Sequence, residues 1–289
     1  MSSEQSTPPT VSGPGPLLPG RVAVITGAGA GIGAAAARLF AAHGAEVVVA
    51  DISAALAATT VEAVTAAGGS ALAVETDVTV PEQVTRLAAT VLERHGRCDI
   101  LVNNVGHWLR NVGPFVNGDM QFWDELHKIN FVHVMLASRE FLPSMIERRS
   151  GVIINVSSIE GLRGYPEDPV YAAYKAAVIQ FTRSLAVQVG HLGIRVNGIG
   201  PDVTESLQVP YGEWVPDEHQ HLWPQWVPVG RMGVADDQAR ALLFLASDLS
   251  SFVTGHTIPT DGGTGAAGGW YRSGSRSLGR QWTNRPINP

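Results

Sequence analysis

Short apolar runs alternate along the chain with longer stretches whose apolar residues recur at helical spacing. Seven short runs predict strands, at residues 21–26, 46–50, 70–76, 99–104, 151–158, 194–200 and 256–260. Six longer stretches predict helices, at residues 31–44, 53–67, 81–96, 119–149, 168–190 and 235–247. Pro143 is expected to kink or tighten one turn of the fourth of these helices.

Near-continuous apolar strands separated by helices imply a parallel sheet that is covered on both faces. We therefore predict a single α/β domain, a doubly wound parallel sheet with helices on both faces, over about residues 20–263. Residues 1–19 predict a disordered tail. Residues 264–289 form a C-terminal extension, and its tryptophans at 270 and 282 suggest packing, for example against a neighbouring subunit.

Composition narrows the class of function. The chain of 289 residues is 45% apolar and 16% charged, and its net charge of −6 offers no basic surface for nucleic acid or anionic lipid. No apolar run approaches the roughly 20 residues that span a bilayer, and residues 1–19 lack the pattern of a signal peptide. The single cysteine, Cys98, is interpreted as a buried thiol in a reducing compartment. These features predict a cytoplasmic protein.

The glycine-rich segment TGAGAGIG, residues 26–33, joins the first strand to the first helix. Glycines there let a pyrophosphate approach the amides at the helix N-terminus, although a tight turn that binds nothing would also use them. Asp51 ends the second strand, where a carboxylate can accept hydrogen bonds from an adenosine ribose and would repel a 2′-phosphate. The alternative for Asp51 is a helix N-cap, a role that Ser53 could fill instead. Because no Lys or Arg lies in the loop or just after Asp51, we predict a Rossmann-like site for NAD rather than NADP.

Tyr171 and Lys175 lie four residues apart in a predicted helix, and hence on one face. An ammonium beside a phenol favours the phenolate, so Lys175 is expected to lower the pKa of Tyr171. Such a tyrosine could exchange a proton with an alcohol or ketone. An incidental pair is the alternative. Tyr174 points to another face and is interpreted as packing.

Together these patterns resemble the short-chain dehydrogenase/reductase family, in the branch marked by T-G-x-x-x-G-x-G and Y-x-x-x-K. The first motif is matched by Thr26, Gly27, Gly31 and Gly33, and the second by Tyr171 and Lys175. Further segments resemble the family's N-N-A-G, its adenine-side contact and its segment after the last strand, at residues 103–106, 77–78 and 261–263. The resemblance covers about residues 20–263.

The resemblance implies that four residues carry the chemistry. Tyr171 would be the general acid/base, and Lys175 would lower its pKa and bind the nicotinamide ribose. Ser158, thirteen residues before Tyr171, would hold the substrate oxygen, and Asn130 would hold a water on a proton path. The alternatives are that Ser158 caps a strand end and that Asn130 satisfies a helix kink. Ser157 is expected to point to the opposite face of the strand.

The resemblance also implies a set of dinucleotide contacts. They are Gly27, Ala30, Gly31, Ile32, Gly33, Asp51, Ile52, Asp77, Val78, Asn104, Val105, Gly106, Tyr171, Lys175, Pro201, Val203, Thr204 and Ser206. Two positions depart from the family's pattern. Asp202 follows Pro201 where the family usually has glycine, and it could reshape the entrance. Val105 replaces alanine and adds bulk beside the adenine or ribose.

The loop after the sixth strand, residues 201–232, falls at the sheet edge where such folds bind ligands. Its tryptophans predict the walls of an apolar pocket, although a subunit interface or lid packing would also use them. The predicted substrate contacts are Trp108, Ser158, Glu160, Trp214, Trp223 and Trp226. Glu160 could bind a second polar group of the substrate. The histidines form no convincing metal set, and the mechanism needs no metal.

These observations favour an NAD-dependent oxidoreductase that transfers hydride between the nicotinamide and a bulky apolar secondary alcohol or ketone, of alicyclic, terpenoid, aromatic or steroid type. A dihydrodiol or hydroxyacyl dehydrogenase is the enzymatic alternative. A non-catalytic nucleotide-sensing module is the other, and it is disfavoured because serine, tyrosine and lysine are all present. The resemblance also implies a homo-oligomer, a tetramer or a dimer, built on the helices that hold Asn130 and Tyr171.

Overall fold

The computed structural model describes residues 15–109, 114–269, 271–272 and 282–283. Seven strands form the main sheet: β1 Val22–Thr26, β2 Glu46–Asp51, β3 Ser70–Glu75, β4 Ile100–Asn103, β5 Gly151–Val156, β6 Ile194–Pro201 and β7 Thr257–Thr260. Every pair is parallel, in the order β3-β2-β1-β4-β5-β6-β7. The chain order reverses between β1 and β4, and the crevice at their carboxyl ends is where such sheets bind ligands. The predicted doubly wound fold is confirmed.

Helices lie on both faces of the sheet. The longer ones are α1 Gly31–Ala42, α2 Ala54–Ala66, α3 Pro81–His95, α4 Met120–His127, α5 His133–Arg148, α6 Pro169–Val189 and α9 Ala235–Ala246. The predicted helix at 119–149 is divided by a π-helical turn, Lys128–Val132, between α4 and α5. Pro143 lies within α5, which continues to Arg148. Three short helices lie nearer the C-terminus: α7 Tyr211–Trp214, α8 Trp223–Trp226 and α10 Thr264–Ala267.

Two apolar cores fill the space between the sheet and its helices. Alternate residues of a strand point to opposite faces, so Ala23 and Ile25 of β1 enter one core and Val22 and Val24 enter the other. The first core packs against α1 and α9, and the second against α3 and α5. Burial on both faces explains why these strands read as continuous apolar runs.

The chain begins to pack before residue 20. Leu18 is 1% exposed and its amide donates to the carbonyl of His43, at 2.9 Å. The prediction of disorder is therefore wrong for residues 15–19, because Leu18 fills the core beside α1. Residues 1–14 and Trp270 lie outside the described residues. In the described part of the C-terminal extension, β8 Tyr271–Arg272 pairs antiparallel with β9 Trp282–Thr283.

Cys98 lies just before β4 and is fully buried, as interpreted from the sequence. Burial raises the pKa of its thiol to about 12, so the reactive thiolate is scarce at neutral pH. None of the helices in the described residues has the length and apolar character needed to cross a lipid bilayer.

Candidate functional site

The turn between β1 and α1 is shaped for close backbone approach. Gly27 and Gly31 have positive φ angles of 63° and 54°, which glycine adopts without strain. A Cβ at Gly33 would lie 2.3 Å from the carbonyl oxygen of Gly27, so no larger residue fits there. Nδ2 of Asn104 donates to the carbonyls of Thr26 and Gly27, at 2.9 and 3.1 Å. These bonds fix the turn against the end of β4.

Asp51 and the start of α1 together fit a dinucleotide. The N-terminus of α1 has no side-chain cap and no acidic residue in its first turn, so its dipole and amides are left for an anion. Asp51 is 9% exposed, and its two carboxylate oxygens accept from the amides of Gly29 and Ser53, at 2.8 and 2.9 Å. Ser53 is itself the N-cap of α2. The capping alternative for Asp51 is therefore excluded.

The other predicted dinucleotide contacts differ in their surroundings. A Cβ at Gly31 would lie 3.9 Å from Cβ of Ser206, so the loop after β6 reaches over the glycine turn. Ile52 is 66% exposed beside Asp51. Val78 is buried within the second core, and the carboxylate of Asp77 accepts from the amide and hydroxyl of Thr79, at 2.8 and 2.6 Å. Both side chains of this segment are thus engaged within the protein.

The segment after β6 carries strain. Val203 has a φ of 28°, a conformation that β-branched residues rarely adopt. Its amide donates to the carboxylate of Asp202, at 2.9 Å, and the hydroxyl of Thr204 donates to the Asp202 carbonyl, at 2.6 Å. Gln238 of α9 donates to the Thr204 hydroxyl, at 2.9 Å. This network holds the unusual backbone at the position predicted to face the nicotinamide.

Tyr171, Lys175 and Ser158 meet at the carboxyl end of β5. Asp168 caps α6 by accepting from the amides of Val170 and Tyr171, which fixes the first turn. The Lys175 ammonium lies 5.6 Å from the centroid of the Tyr171 ring. The Ser158 hydroxyl lies close enough to the Tyr171 phenol to lower its pKa. The structure thus assembles three of the four residues predicted to carry the chemistry.

The predicted lowering of the Tyr171 pKa is wrong for this chain. Burial raises the pKa of Tyr171, the nearby Glu160 and Asp168 carboxylates act in the same direction, and the Ser158 hydroxyl opposes them. Burial also lowers the pKa of Lys175, to about 8. Lys175 is therefore only partly charged near pH 8. The effect of burial on the Tyr171 pKa is larger than the effect of the Lys175 charge.

Asn130 lies in the π-helical turn and is fully buried. Its Oδ1 accepts from the amide of His107, at 3.1 Å, while its Nδ2 donates to the carbonyls of His107 and Leu126, at 2.7 and 3.0 Å. A Cβ at Gly106 would lie 2.5 Å from Nζ of Lys175 and 3.3 Å from Oδ1 of Asn130. Glycine at 106 thus lets the lysine and the asparagine approach each other across the loop after β4.

Ser157, expected on the opposite face of its strand, and Tyr174, interpreted as packing, both point away from the site. The Ser157 hydroxyl donates to the carbonyl of Lys175, at 2.8 Å, and so ties β5 to α6. Tyr174 stacks on His127 with ring centroids 5.0 Å apart, and its hydroxyl donates to the carbonyl of Trp123, at 3.3 Å. Neither side chain is oriented as Ser158 and Tyr171 are.

Aromatic rings form a connected series over the substrate side. Trp108 and Trp214 meet edge to face at 5.9 Å, which joins the loop after β4 to α7. The series continues through Tyr211 and Trp223 to Trp226, with centroids 5.7–6.2 Å apart. Trp223 is 9% exposed and donates to Gln220, so it supports the lid, whereas Trp226 is 61% exposed at the far end. Among the tryptophans of this series, only Trp108 and Trp214 connect the loop after β4 with the loop after β6.

Glu160, predicted to bind a second polar group of the substrate, is engaged in an ion pair. Arg163 binds both of its carboxylate oxygens, and the same guanidinium lies 3.0 Å from Oδ2 of Asp202. Tyr165 meets the Tyr171 ring edge to face at 6.3 Å. The acidic residue that replaces the family's glycine is therefore part of an ion-pair cluster beside Tyr171.

Sequence reasoning missed several residues of the site. They are His133, Arg163, Tyr165 and Tyr211. His133 is fully buried, burial and the Lys175 charge lower its pKa to about 3, and its ring nitrogens have no hydrogen-bond partner among the described residues. The spacing of Glu160 and Arg163 was a readable signal for an i,i+3 ion pair. Nothing in the pattern singled out His133 or Tyr211. In the described part of the chain, no three His, Cys, Asp or Glu side chains are grouped to hold a metal ion.

Comparison with known proteins assigns the family. The family model described as enoyl-(acyl carrier protein) reductase matches residues 27–265. A 3-oxoacyl-[acyl-carrier-protein] reductase from Thermotoga maritima is 37% identical over 246 residues, which is 85% of this chain and 98% of the relative. The chain belongs to the short-chain dehydrogenase/reductase family. Its members named here are oxidoreductases.

Two further relatives act on ring compounds. A cis-4-hydroxycyclohexanecarboxylate dehydrogenase from Sinomonas cyclohexanicum is 38% identical over 84% of this chain and 96% of its own length. The solved structure of a 7α-hydroxysteroid dehydrogenase, complexed with NADH and an oxo bile acid, superposes with a TM-score of 0.79. It is 34% identical and is matched over 85% of this chain and 94% of its own.

Proposed function

We propose that this protein is an NAD-dependent dehydrogenase or ketone reductase, with a bulky, largely apolar secondary alcohol or ketone as its substrate. The observation that carries the proposal is the meeting of Tyr171, Lys175 and Ser158, with Tyr211 of the aromatic series close enough to act on the Tyr171 pKa. Proton-transferring groups and aromatic walls then border one space. The alternative is a hydroxyacyl or dihydrodiol dehydrogenase. The similarity to a 3-oxoacyl-[acyl-carrier-protein] reductase favours the hydroxyacyl dehydrogenase of these two.

The chain's own residues would handle the proton. The Ser158 hydroxyl would hold the substrate oxygen next to the Tyr171 phenol. Because burial raises the pKa of Tyr171, the phenol is protonated at neutral pH and is ready to donate in ketone reduction. In alcohol oxidation, the charged form of Lys175 would stabilise the phenolate that takes up the proton. Asn130 would hold the His107 backbone in place next to the Lys175 side chain. A bound nicotinamide would supply or accept the hydride.

NAD is the proposed cofactor because of the surroundings of Asp51. Its carboxylate lies against the glycine turn, where it can accept from a ribose diol and would repel a 2′-phosphate. The uncapped N-terminus of α1 would receive the pyrophosphate. We also propose that the protein is a homo-oligomer, which the sequence resemblance implies.

The acid/base role is tested with Tyr171→Phe. We expect kcat/KM for oxidation of cyclic and aromatic alcohols with NAD to fall by roughly 10³-fold, because the proton acceptor is lost. NADH affinity, followed by energy transfer from the tryptophans, should stay within about twofold. Tyr174→Phe is the matched control and should keep its activity. Oxidation of every substrate at the wild-type rate by Tyr171→Phe would refute the role.

The cofactor is tested by titration with NADH and NADPH. We expect the wild-type protein to bind NADH at least about tenfold more tightly, because the Asp51 carboxylate repels the extra phosphate. Asp51→Asn keeps an acceptor for the Gly29 amide but removes the charge, so the preference should shrink. Equal binding of the two nucleotides by the wild-type protein would contradict the role of Asp51. Binding of neither would favour a function other than dehydrogenase.

A further inference from the structure

Arg163 joins two segments of the candidate site. Its Nε and Nη2 donate to the two oxygens of Glu160, at 3.3 and 2.8 Å, and Nη2 lies 3.0 Å from Oδ2 of Asp202. Thr264 of α10 donates to the same Asp202 oxygen. One guanidinium therefore ties the segment after β5 to the segment after β6. We call Glu160, Arg163 and Asp202 the mouth triad.

The mouth triad borders the space in front of Tyr171. Glu160 lies two residues after Ser158, and its charge raises the pKa of both Tyr171 and Tyr211. Asp202 also raises the pKa of Tyr211, whereas Arg163 lowers it. The amide of Glu160 donates to the Ser158 hydroxyl, at 3.2 Å, which places the triad directly beside the candidate site. The carboxylates are 13% and 9% exposed and the guanidinium 38%, so the guanidinium is the accessible member.

The mouth triad presents hydrogen-bond donors in a negative environment. A guanidinium has five N–H groups, and the two on Nη1 of Arg163 have no partner among the described residues. One positive and two negative charges leave a net charge of −1 on the triad. A hydroxyl or carbonyl oxygen can accept from Nη1 at no electrostatic cost. A substrate carboxylate would face two like charges, which disfavours its binding.

We propose that Arg163 binds a second, uncharged oxygen of the substrate, so that neutral ring compounds with two oxygen functions are preferred over simple alcohols and over hydroxy acids. Glu160 and Asp202 hold the guanidinium in position and reduce its attraction for anions. The inference rests on the proposed function, since it assumes that an alcohol is oxidised at Tyr171. It gives the aspartate at position 202 a role in substrate selection.

The test compares three alcohols with one ring: cyclohexane-1,4-diol, cyclohexanol and 4-hydroxycyclohexanecarboxylate, each oxidised with NAD. We expect the wild-type kcat/KM to be highest for the diol and lowest for the hydroxy acid. Arg163→Met keeps an unbranched stem without donors. It should lower the value for the diol by about tenfold or more, the effect of losing a hydrogen bond to a charged group. The ratio of the value for the diol to the value for cyclohexanol, which lacks the second oxygen, should therefore fall by about tenfold.

A second variant changes charge without shortening side chains. Glu160→Gln combined with Asp202→Asn turns the net charge of the triad from −1 to +1. It should raise kcat/KM for the hydroxy acid by about tenfold relative to cyclohexanol. Glu167→Gln is the control, because Glu167 is an exposed neighbouring carboxylate that accepts from Tyr165, at 3.1 Å. It should leave the kcat/KM values of the three alcohols unchanged relative to one another.

An unchanged ratio of diol to cyclohexanol in Arg163→Met, with cyclohexanol still oxidised, would overturn the inference but not the proposed function. Preference of the wild-type enzyme for the hydroxy acid would overturn it too. If the wild-type protein binds NADH but oxidises none of the three alcohols, the proposed function fails and this inference with it. If Arg163→Met does not fold, the ratio of hydroxy acid to cyclohexanol in the double variant decides.

Discussion

The two halves of the crevice are built in different ways. The half around β1 and α1 is made of backbone: glycines at 27, 31 and 33, free helix amides and one buried carboxylate, Asp51. The half around α7 and α8 is made of side chains, with a series of aromatic rings and the mouth triad. Backbone geometry tolerates almost no substitution, whereas packed side chains can be exchanged for others of similar volume. The contrast agrees with our proposal of an invariant nucleotide in the first half and a variable substrate in the second.

The largest effect is expected in the backbone half, with Gly33→Ala. Its Cβ would lie 2.3 Å from the Gly27 carbonyl oxygen and 2.9 Å from Cα of Ala28, so the backbone must move. We expect a loss of about 3 kcal/mol in the free energy of unfolding and strongly weakened NADH binding. Urea unfolding and nucleotide titration measure the two effects.

Gly190→Ala is the matched control, because a Cβ there meets nothing within 4 Å. It should change the free energy of unfolding by no more than about 0.5 kcal/mol. If both variants behaved alike, the contrast between a backbone half and a side-chain half would not hold.

An intermediate effect is expected from His133, which is buried near Lys175 between the two halves. Its folded-state pKa of about 3 lies below the ordinary 6.5, so below pH 6.5 the unfolded chain binds a proton that the folded chain excludes. Stability is therefore lost as the pH falls from 6.5 towards 3. Between pH 6.5 and 5 the loss from this residue is about 2 kcal/mol.

The measurement is the free energy of unfolding of the wild-type protein and of His133→Leu at pH 8, 6.5 and 5. The variant should lose less stability than the wild type below pH 6.5, and the difference at pH 8 records its packing effect alone. Parallel curves at all three values would show that His133 does not resist protonation.

The smallest effect separates two tryptophans of the side-chain half. Trp214→Ala removes the edge-to-face contact with Trp108 and should raise KM for a bulky alcohol about fivefold. Trp226→Ala should change KM by less than about twofold, because its ring is mostly exposed at the end of the series. Equal effects from both would mean that the aromatic series acts as one wall.

The sequence was sufficient for the sheet, its flanking helices and the relation of Tyr171 to Lys175. Apolar periodicity and glycine placement are local signals, and each reports the backbone directly. The exception is the region 119–149, where a π-helical turn divides the predicted helix. Its cause is tertiary, because Asn130 in that turn bonds the His107 backbone in a different segment. Periodicity within one helix carries no trace of such a bond.

The missed part of the site depends on contacts between distant segments. Arg163 meets Asp202 across 39 positions of sequence, and Tyr211 lies near both only after the loop has folded. The direction of the Tyr171 pKa was also missed, since the spacing to Lys175 reveals a neighbouring charge but not the degree of burial. The charge and spacing of residues can be taken from a sequence, whereas the desolvation of a titratable group depends on the tertiary structure around it.

The burial of Cys98 makes its thiol a built-in reporter of how often the protein opens. Since the only thiol of the chain is sealed beneath β4 and has a pKa of about 12, a thiol reagent reacts with molecules that have opened, not with folded ones. The rate of labelling then counts opening events without an engineered probe. A ligand that binds only the folded chain lowers the labelling rate in proportion to the fraction of protein that it leaves unbound. Candidate substrates and nucleotides can thus be ranked by how strongly each one slows the labelling of Cys98.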